Sequence, residues 1–132
     1  MPDVHQIATA LLVQDGRVLL GHRHPDRRWY PDCWDLVGGH VERGESPGQA
    51  IVRECREEIA VEVTALEQVD LEVTEPTLDL TCFVVRAWDG EITNAAPAEH
   101  DTLRWFLPHE VRQLTLAHPS VLDLVTRELD RG

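Results

Sequence analysis

The sequence predicts a single mixed α/β or α+β domain in which helices cover a sheet. Three features predict it: apolar stretches of strand length near the start, one well-delimited helix in the middle, and an amphipathic helix at the C-terminus. The chain has 132 residues, of which 42% are hydrophobic and 27% charged. This composition suits one globular domain spanning residues 1–132, because two separate cores would each be close to the lower size limit of stable domains.

The chain begins with a predicted β-hairpin. Residues 7–13 and 18–23 are apolar runs, and Asp15-Gly16 between them supplies the positive φ angles of a tight turn. Residues 24–33 contain two prolines and no regular period, which predicts a surface loop. Loops of this kind often carry functional residues.

Further strands are predicted on both sides of the central helix. Residues 34–37 form a short strand, which the glycine pair at 38–39 interrupts. Residues 61–75 and 78–88 alternate loosely between apolar and polar side chains, as the strands of a second hairpin do. Residues 103–106 predict a last short strand.

Two helices are predicted. Ser46 is a good N-cap, Pro47 suits the first helical position, and Gln49 completes a capping box, so a helix follows over residues 50–59. Its buried stripe recurs every four residues, at Ile51, Cys55 and Ile59. Apolar side chains at helical spacing predict a second, amphipathic helix within residues 119–129.

The charge balance limits the partners of this protein. The formal net charge is -12, and all 12 basic residues are Arg. So acidic a chain is not expected to bind nucleic acid or an anionic membrane surface as its main task. The absence of Lys also excludes Schiff-base enzymes and P-loop nucleotide hydrolases.

The cysteines and the N-terminus indicate where the protein works. Cys33, Cys55 and Cys82 are odd in number and too widely spaced for a disulfide framework or a zinc ribbon. Neither a signal peptide nor a membrane-spanning segment is recognisable in the sequence. We therefore expect reduced thiols and a cytoplasmic location.

Three glutamates share one face of the central helix. Glu54, Glu57 and Glu58 stand at i, i+3 and i+4, where like charges repel. A solvated acidic face is the alternative explanation, but the three carboxylates border the buried stripe instead of lying opposite it. Oxygen ligands in this arrangement suit Mg²⁺ or Mn²⁺.

The sequence around these glutamates resembles the Nudix box, which here spans residues 39–61. The matching residues, in order, are Gly39, Glu45, Arg53, Glu54, Cys55, Glu57, Glu58 and Val61. One fixed position differs, because Ala60 replaces a glycine. The order of the flanking elements is also similar, so the resemblance to MutT-like members of the family extends over most of the chain.

The resemblance implies a fold, an activity and a set of roles. The fold would be an α/β/α sandwich with a mixed sheet, and the activity hydrolysis of a diphosphate linkage in a nucleoside diphosphate derivative. Glu54, Glu57, Glu58 and the Gly39 carbonyl would bind the divalent cations, Mg²⁺ or Mn²⁺. Arg53 would orient Glu54.

The resemblance leaves the general base open. The family uses either a glutamate of the box or one from a later loop, and Glu99 is the candidate for the second possibility. Glu45 would support the loop or contact the metal through water. At Ala60 we expect a left-handed helix end, which costs a residue other than glycine about 1 kcal/mol. A slight shift of the helix end is expected as a result.

The substrate-binding residues are predicted next to this box. Arg23 and Arg28 can hold phosphates, Trp29 can stack on a base, and His40 can hydrogen-bond near the metal. A solvated basic loop is the alternative for the arginines. Four histidines lack ligand spacing and are expected on the surface, namely His5, His100, His109 and His118.

The favoured activity is that of a compact nucleoside triphosphate pyrophosphohydrolase. An ADP-ribose or nucleotide-sugar hydrolase is the alternative. Pro76 is the only residue that indicates it, because its position is similar to that of a proline in ADP-ribose hydrolases. A Nudix-fold sensor that binds nucleotide without hydrolysing it belongs to a different class, and the intact glutamates argue against it. The expected partner is a small nucleotide, and a homodimer is left open.

Overall fold

The computed structural model describes residues 4–130, so both ends of the predicted domain, residues 1–3 and 131–132, lie outside the described part. Within that part the strands are β1 (His5–Gln14), β2 (Arg17–Arg23), β3 (Trp34–Asp35), β4 (Val37–His40), β5 (Glu62–Val69), β6 (Leu78–Asp89) and β7 (His100–Phe106). The helices are α1 (Pro47–Ile59), α2 (Pro108–Val111) and α3 (Ser120–Asp130).

The predicted hairpin of β1 and β2 is confirmed, and its strands separate soon after the turn. Asp15 and Gly16 both have positive φ, 53° and 72°, and the strands pair only at Val13 with Val18 and at their neighbours. Farther along, β1 pairs with β4 and β6, whereas β2 pairs with β3 and β7. The hairpin therefore joins two branches of the sheet.

The sheet is mixed, as the resemblance implies. β1 runs parallel to β6, with partners from His5 and Leu78 to Leu12 and Val85. The other pairings are antiparallel, including the predicted hairpin of β5 with β6.

Helices cover both faces of the sheet. Alternate side chains of β1 serve two cores, with Ala8, Ala10 and Leu12 on the α1 side and Leu11 and Val13 on the other. The α1 residues of the first core are Ala50, Ile51, Cys55 and Ile59. The α2 and α3 residues of the second core are Val111, Val121, Leu124 and Val125. The α/β/α sandwich and the buried stripe of the central helix are thus confirmed.

The glycine pair does not interrupt a strand, which corrects the prediction for residues 34–39. Gly38 and Gly39 lie inside β4 and pair with Thr9 and Ala8 of β1. A Cβ on Gly38, whose φ is +150°, would lie 2.1 Å from the Ala8 carbonyl oxygen. The glycines are required because β4 passes so close to its neighbours.

The strand predicted over residues 61–75 is too long, since β5 ends at Val69. The chain beyond it is bound by α3 instead of by β6. Arg127 Nη2 donates to the Asp70 carbonyl at 2.6 Å, and Ser120 Oγ donates to the Glu72 carbonyl. These contacts satisfy carbonyls that the ladder does not reach.

Both ends of α1 are fixed locally. At its start Gln49 N donates to Ser46 Oγ at 3.1 Å, and Ser46 N donates to Gln49 Oε1 at 2.8 Å, so the capping box is confirmed. At its end Ala60 has φ 61° and ψ 34°, the expected left-handed conformation. The helix ends at Ile59, directly before this residue.

Two further observations concern the cysteines and the length of the helices. The three cysteines are buried and not bonded to one another. Among the described residues, no helix is long and apolar enough to span a membrane.

Candidate active site

The three glutamates of helix α1 differ in their exposure to solvent. Glu58 is 2% exposed and Glu54 9%, whereas the Glu57 side chain is 56% exposed. The buried pair faces the glycines of β4: Gly38 N donates to Glu58 Oε2 at 3.1 Å, and a Cβ on Gly39 would lie 2.7 Å from Glu54 Oε1. The Gly39 backbone therefore lies directly against the carboxylates.

Arg53 ties this helix face to the preceding loop. Its Nε and Nη2 donate to the two Glu45 oxygens at 2.8 and 3.0 Å, and its Nη1 donates to Glu54 and Glu57 at 2.9 and 3.1 Å. Its Nη2 also donates to the His40 carbonyl at 3.0 Å. The hydrogen bonds with Glu45 raise the pKa of Arg53 and lower that of Glu45. The Arg53 guanidinium is thus placed to fix the carboxylates of Glu54 and Glu57 in position.

A second segment reaches the buried carboxylates from β7. Glu99 and His100 lie against Glu58, and the ligand atoms of the three residues are all within 4.8 Å of one another. Glu58 Oε1 is buried and has no hydrogen-bond partner among the described residues. An orphaned carboxylate oxygen of this kind costs free energy unless a proton or a cation satisfies it.

Burial controls the charge in this cluster. It raises the pKa of Glu58 well above the ordinary value, and the neighbouring Glu99 and Glu54 raise it further. Burial also raises the pKa of Glu54, against the opposing effect of Arg53. The interaction with Glu58 lowers the pKa of Glu99. Burial and mutual repulsion therefore disfavour full ionisation of this cluster in the absence of a cation.

A pocket of about 140 Å³ opens beside the glycines of β4. Three of the predicted substrate-binding residues line it, namely Arg23, Trp29 and His40, and Arg28 lies outside this lining. Arg28 instead places its guanidinium 5.5 Å from the centre of the exposed Trp29 ring. Arg27 lines the pocket from the same loop.

Arg23 is engaged by its own loop. Its Nε and Nη2 donate to the Trp29 carbonyl at 3.0 and 2.6 Å, and Nε also donates to the Tyr30 carbonyl at 2.9 Å. Its Nη1 lies 3.7 Å from Asp35 Oδ2. Arg23 therefore shapes the wall of the pocket and balances a buried carboxylate there.

The buried polar wall of this pocket could not be predicted from the sequence. Asp35 and His118, 7% and 8% exposed, both line it, and the ring of His118 lies 4.8 Å from that of Tyr30. Burial raises the pKa of Asp35, against the effects of His118 and Arg23. Thr9 Oγ1, in the same lining, is buried without a hydrogen-bond partner among the described residues.

The surface location expected for His100 and His118 is wrong. His100 is 2% exposed, and its ring occupies the space above Gly21, where a Cβ would lie 2.4 Å from His100 Cδ2. Burial lowers the pKa of His100 to about 4, so the imidazole is neutral. No spacing rule could find these histidines, because their neighbours are remote in the sequence.

Comparison with known proteins agrees with this geometry. The sequence matches the NUDIX domain over residues 4–127. The chain belongs to the NUDIX family. This Nudix protein is 35% identical to a CTP pyrophosphohydrolase of Escherichia coli (strain K12) over 115 residues, 85% of this chain and 82% of that protein. It is 36% identical to an 8-oxo-dGTP diphosphatase of Proteus vulgaris over 93 residues, 68% and 82% of the two chains.

Solved structures agree with the Nudix fold. The MutT protein from Methanosarcina mazei Go1 matches with a TM-score of 0.77 and 25% identity, over 98% of this chain and 95% of that one. The family, the fold and the enzyme class predicted from the sequence are thereby confirmed. The protein is a Nudix hydrolase, an enzyme acting on phosphorus-containing anhydrides in nucleoside diphosphate derivatives.

Proposed function

We propose that this Nudix hydrolase converts a nucleoside triphosphate and water into the nucleoside monophosphate and pyrophosphate, with Mg²⁺ or Mn²⁺ as cofactor. One observation carries the proposal: the pocket and the buried carboxylates share the same strand, β4. A nucleoside in the pocket would place its phosphates over the glutamates. The two relatives named for nucleoside triphosphates support this choice over ADP-ribose or nucleotide sugars.

The cation site of the proposal consists of Glu54, Glu57, Glu58 and the Gly39 carbonyl. The donors are all oxygens, which suits Mg²⁺ and Mn²⁺. The orphaned Glu58 Oε1 and the close approach of Gly39 to Glu54 fit a bound cation. A cation there would neutralise diphosphate oxygens and lower the pKa of a bound water.

The chain itself supplies positioning and proton transfer. Arg53 holds Glu54 and Glu57 in place through hydrogen bonds of 2.9 and 3.1 Å. Glu99, half-buried with a lowered pKa, is ionised and is our candidate for the base that accepts the proton of the attacking water. A glutamate of the box remains the alternative base.

The pocket is proposed to hold the base of the nucleotide. Its volume, about 140 Å³, is close to that of cavities that bind one six-membered ring, about 150 Å³. Trp29, 61% exposed, can stack on the base, while Arg27 and His40 lie where phosphates would pass. Arg23 shapes this wall. Arg28 does not line the pocket, and its position beside Trp29 is the one observation that supports it as a phosphate ligand.

We place the enzyme in the cytoplasm, which the three unbonded cysteines support. Its partner in the proposal is the small nucleotide. A homodimer, and the absence of nucleic-acid binding, stay predictions.

The test is a product assay over a nucleotide panel with Mg²⁺, using wild-type protein and Glu57→Gln. Panel members are the nucleoside and deoxynucleoside triphosphates, their oxidised forms, ADP-ribose and nucleotide sugars. We expect monophosphate and pyrophosphate from a triphosphate, and much slower turnover by the variant. Tight nucleotide binding without turnover would favour the sensor function, and preferred cleavage of ADP-ribose would overturn the substrate class.

A further inference from the structure

We propose that His100 supplies a nitrogen ligand, so that Glu58, Glu99 and His100 together hold one divalent cation at the buried end of the active site. The inference rests on the metal dependence of the proposed function and adds to it. The Nudix box accounts for Glu58, and the later-loop carboxylate for Glu99. Neither assigns a role to the imidazole.

The distances fit ligands of one ion better than they fit hydrogen bonds. His100 Nδ1 lies 3.7 Å from Glu58 Oε1, which is too long for a hydrogen bond. Two ligands of one ion, each at about 2.0–2.2 Å from it, lie about 3–4.4 Å apart. The ligand atoms of Glu58, Glu99 and His100 all lie within 4.8 Å of one another, a limit only slightly longer than this range.

The burial and the hydrogen bonding of the cluster fit a bound cation. Glu58 Oε1 is buried without a partner among the described residues. Glu58 and His100 are each 2% exposed, so bulk water does not solvate them. The His100 atom that faces Glu58 Oε1, at 3.7 Å, is the ring nitrogen Nδ1, which in the tautomer protonated on Nε2 carries a lone pair that can bind a cation.

The surroundings leave room for the imidazole and fix the backbone of Glu99 and His100. Gly21, in the middle of β2, leaves room for the ring of His100. Asn94 Nδ2 donates to the His100 carbonyl at 2.7 Å, and His24 N donates to the Glu99 carbonyl at 3.1 Å. A fixed backbone on both residues preorganises a ligand set.

A nitrogen donor changes which ion the site prefers. Oxygen ligands alone suit Mg²⁺, whereas imidazole adds affinity for transition metals such as Mn²⁺. One oxygen of Glu99 is sufficient as a ligand, so the other remains available to accept a proton. We therefore expect tighter binding of Mn²⁺ than of Mg²⁺ to the nucleotide-free protein.

Pulsed electron paramagnetic resonance of bound Mn²⁺ tests the ligand directly. Protein at natural abundance is compared with protein carrying ¹⁵N-histidine, which needs no substitution and therefore carries no risk of misfolding. We expect a ¹⁴N coupling that is replaced by a ¹⁵N coupling on labelling. Bound Mn²⁺ without any histidine nitrogen coupling would overturn the inference while leaving the proposed function intact.

Substitutions assign the coupling to one residue. His100→Gln, or His100→Asn if the first variant does not fold, should abolish the coupling, and the control His40→Gln should retain it. By calorimetry, His100→Gln should weaken Mn²⁺ binding by about tenfold or more and Mg²⁺ binding much less. Coupling that persists in folded His100 variants would overturn the inference. Failure of the wild-type protein to bind either ion would overturn the proposed function as well.

Discussion

At the scale of single residues, Glu58 shows how burial prepares a carboxylate for a cation. Its surroundings offer one backbone donor, Gly38 N, and leave Oε1 without one among the described residues. Burial and two neighbouring carboxylates raise its pKa, so Glu58 retains its proton to higher pH than an exposed glutamate does. A bound cation would have to displace this proton.

The first prediction is that Mg²⁺ affinity increases with pH. The sign follows from the raised pKa of Glu58: below it the proton competes with the ion, and above it the carboxylate is free to bind. Calorimetry over a series of pH values should show binding that tightens as the pH rises, with proton release from Glu58 on binding. Glu58→Gln, which has no such proton, should lose this dependence, and a wild-type affinity unaffected by pH would contradict the assignment.

The second prediction concerns Arg23. Its removal leaves the buried Asp35 without its guanidinium neighbour and two loop carbonyls without donors, so Arg23→Ala should lower the free energy of unfolding by about 3 kcal/mol. It should also raise KM, because the pocket wall is disturbed. Chemical denaturation and steady-state kinetics measure the two effects.

Arg28→Ala is the matched control for stability. Arg28 is exposed, and its guanidinium lies over the Trp29 ring, so its loss should change the free energy of unfolding by less than about 0.5 kcal/mol. Equal effects of the two substitutions would show that the hydrogen bonds of Arg23 do not organise the loop.

The sequence predicted the residues of the box because their spacing is local. Glu54 and Glu58 lie one helical turn apart, and their shared face follows from the period of the helix alone. His100 is different, since its burial depends on Gly21, 79 residues earlier. Asp35 and His118 likewise meet only in the folded chain, so no local pattern marks them.

At the scale of secondary-structure elements, the end of α1 departs from the Nudix box. Ala60 takes the left-handed conformation that the motif reserves for glycine. The helix ends at Ile59, directly before this residue, so the left-handed strain is confined to Ala60. The steric penalty of this conformation should therefore lower the free energy of unfolding without changing the geometry of the site.

The third prediction is that Ala60→Gly stabilises the protein. Glycine adopts positive φ without the steric penalty of a Cβ, which should raise the free energy of unfolding by about 1 kcal/mol or somewhat less. Ala50→Gly, in the interior of the same helix, should destabilise it by about 1 kcal/mol or more. Thermal unfolding of both variants checks this, and destabilisation by Ala60→Gly would refute the account of the helix end.

Element boundaries were less predictable than element types. The sequence over residues 61–75 keeps a strand-like alternation beyond Val69, but α3 binds the carbonyls that a longer β5 would have paired. The glycines of β4 resemble a strand break, yet the strand continues because only glycine fits between β1 and Glu54. In both cases the deciding contact comes from an element that the local sequence does not contain.

At the scale of the whole molecule, the split of the sheet builds the site. One branch carries β4 and packs against α1, and the other brings the start of β7 with Glu99 and His100. The carboxylates meet where the branches face each other. In a chain with a net charge of -12, a bound cation would offset the repulsion among these carboxylates.

The fourth prediction is that Mg²⁺ stabilises the whole domain. A ligand at 100 times its Kd adds about 2.7 kcal/mol if it binds only the folded state, which corresponds to roughly 10 °C in Tm for a domain of this size. Differential scanning calorimetry with and without Mg²⁺ measures the shift. Glu58→Gln should show a much smaller shift, and an equal one would place the ion elsewhere.

The most direct test of the central claim is the kcat of Glu58→Gln for nucleoside triphosphate hydrolysis at saturating Mg²⁺. The substitution keeps the shape of the side chain and removes its charge, so we expect a loss of at least about a hundredfold, or roughly 2.7 kcal/mol of transition-state stabilisation. The metal-free Tm should stay close to that of the wild type. A folded variant with a near wild-type kcat, or wild-type turnover that persists in excess chelator, would contradict metal-dependent hydrolysis at this site.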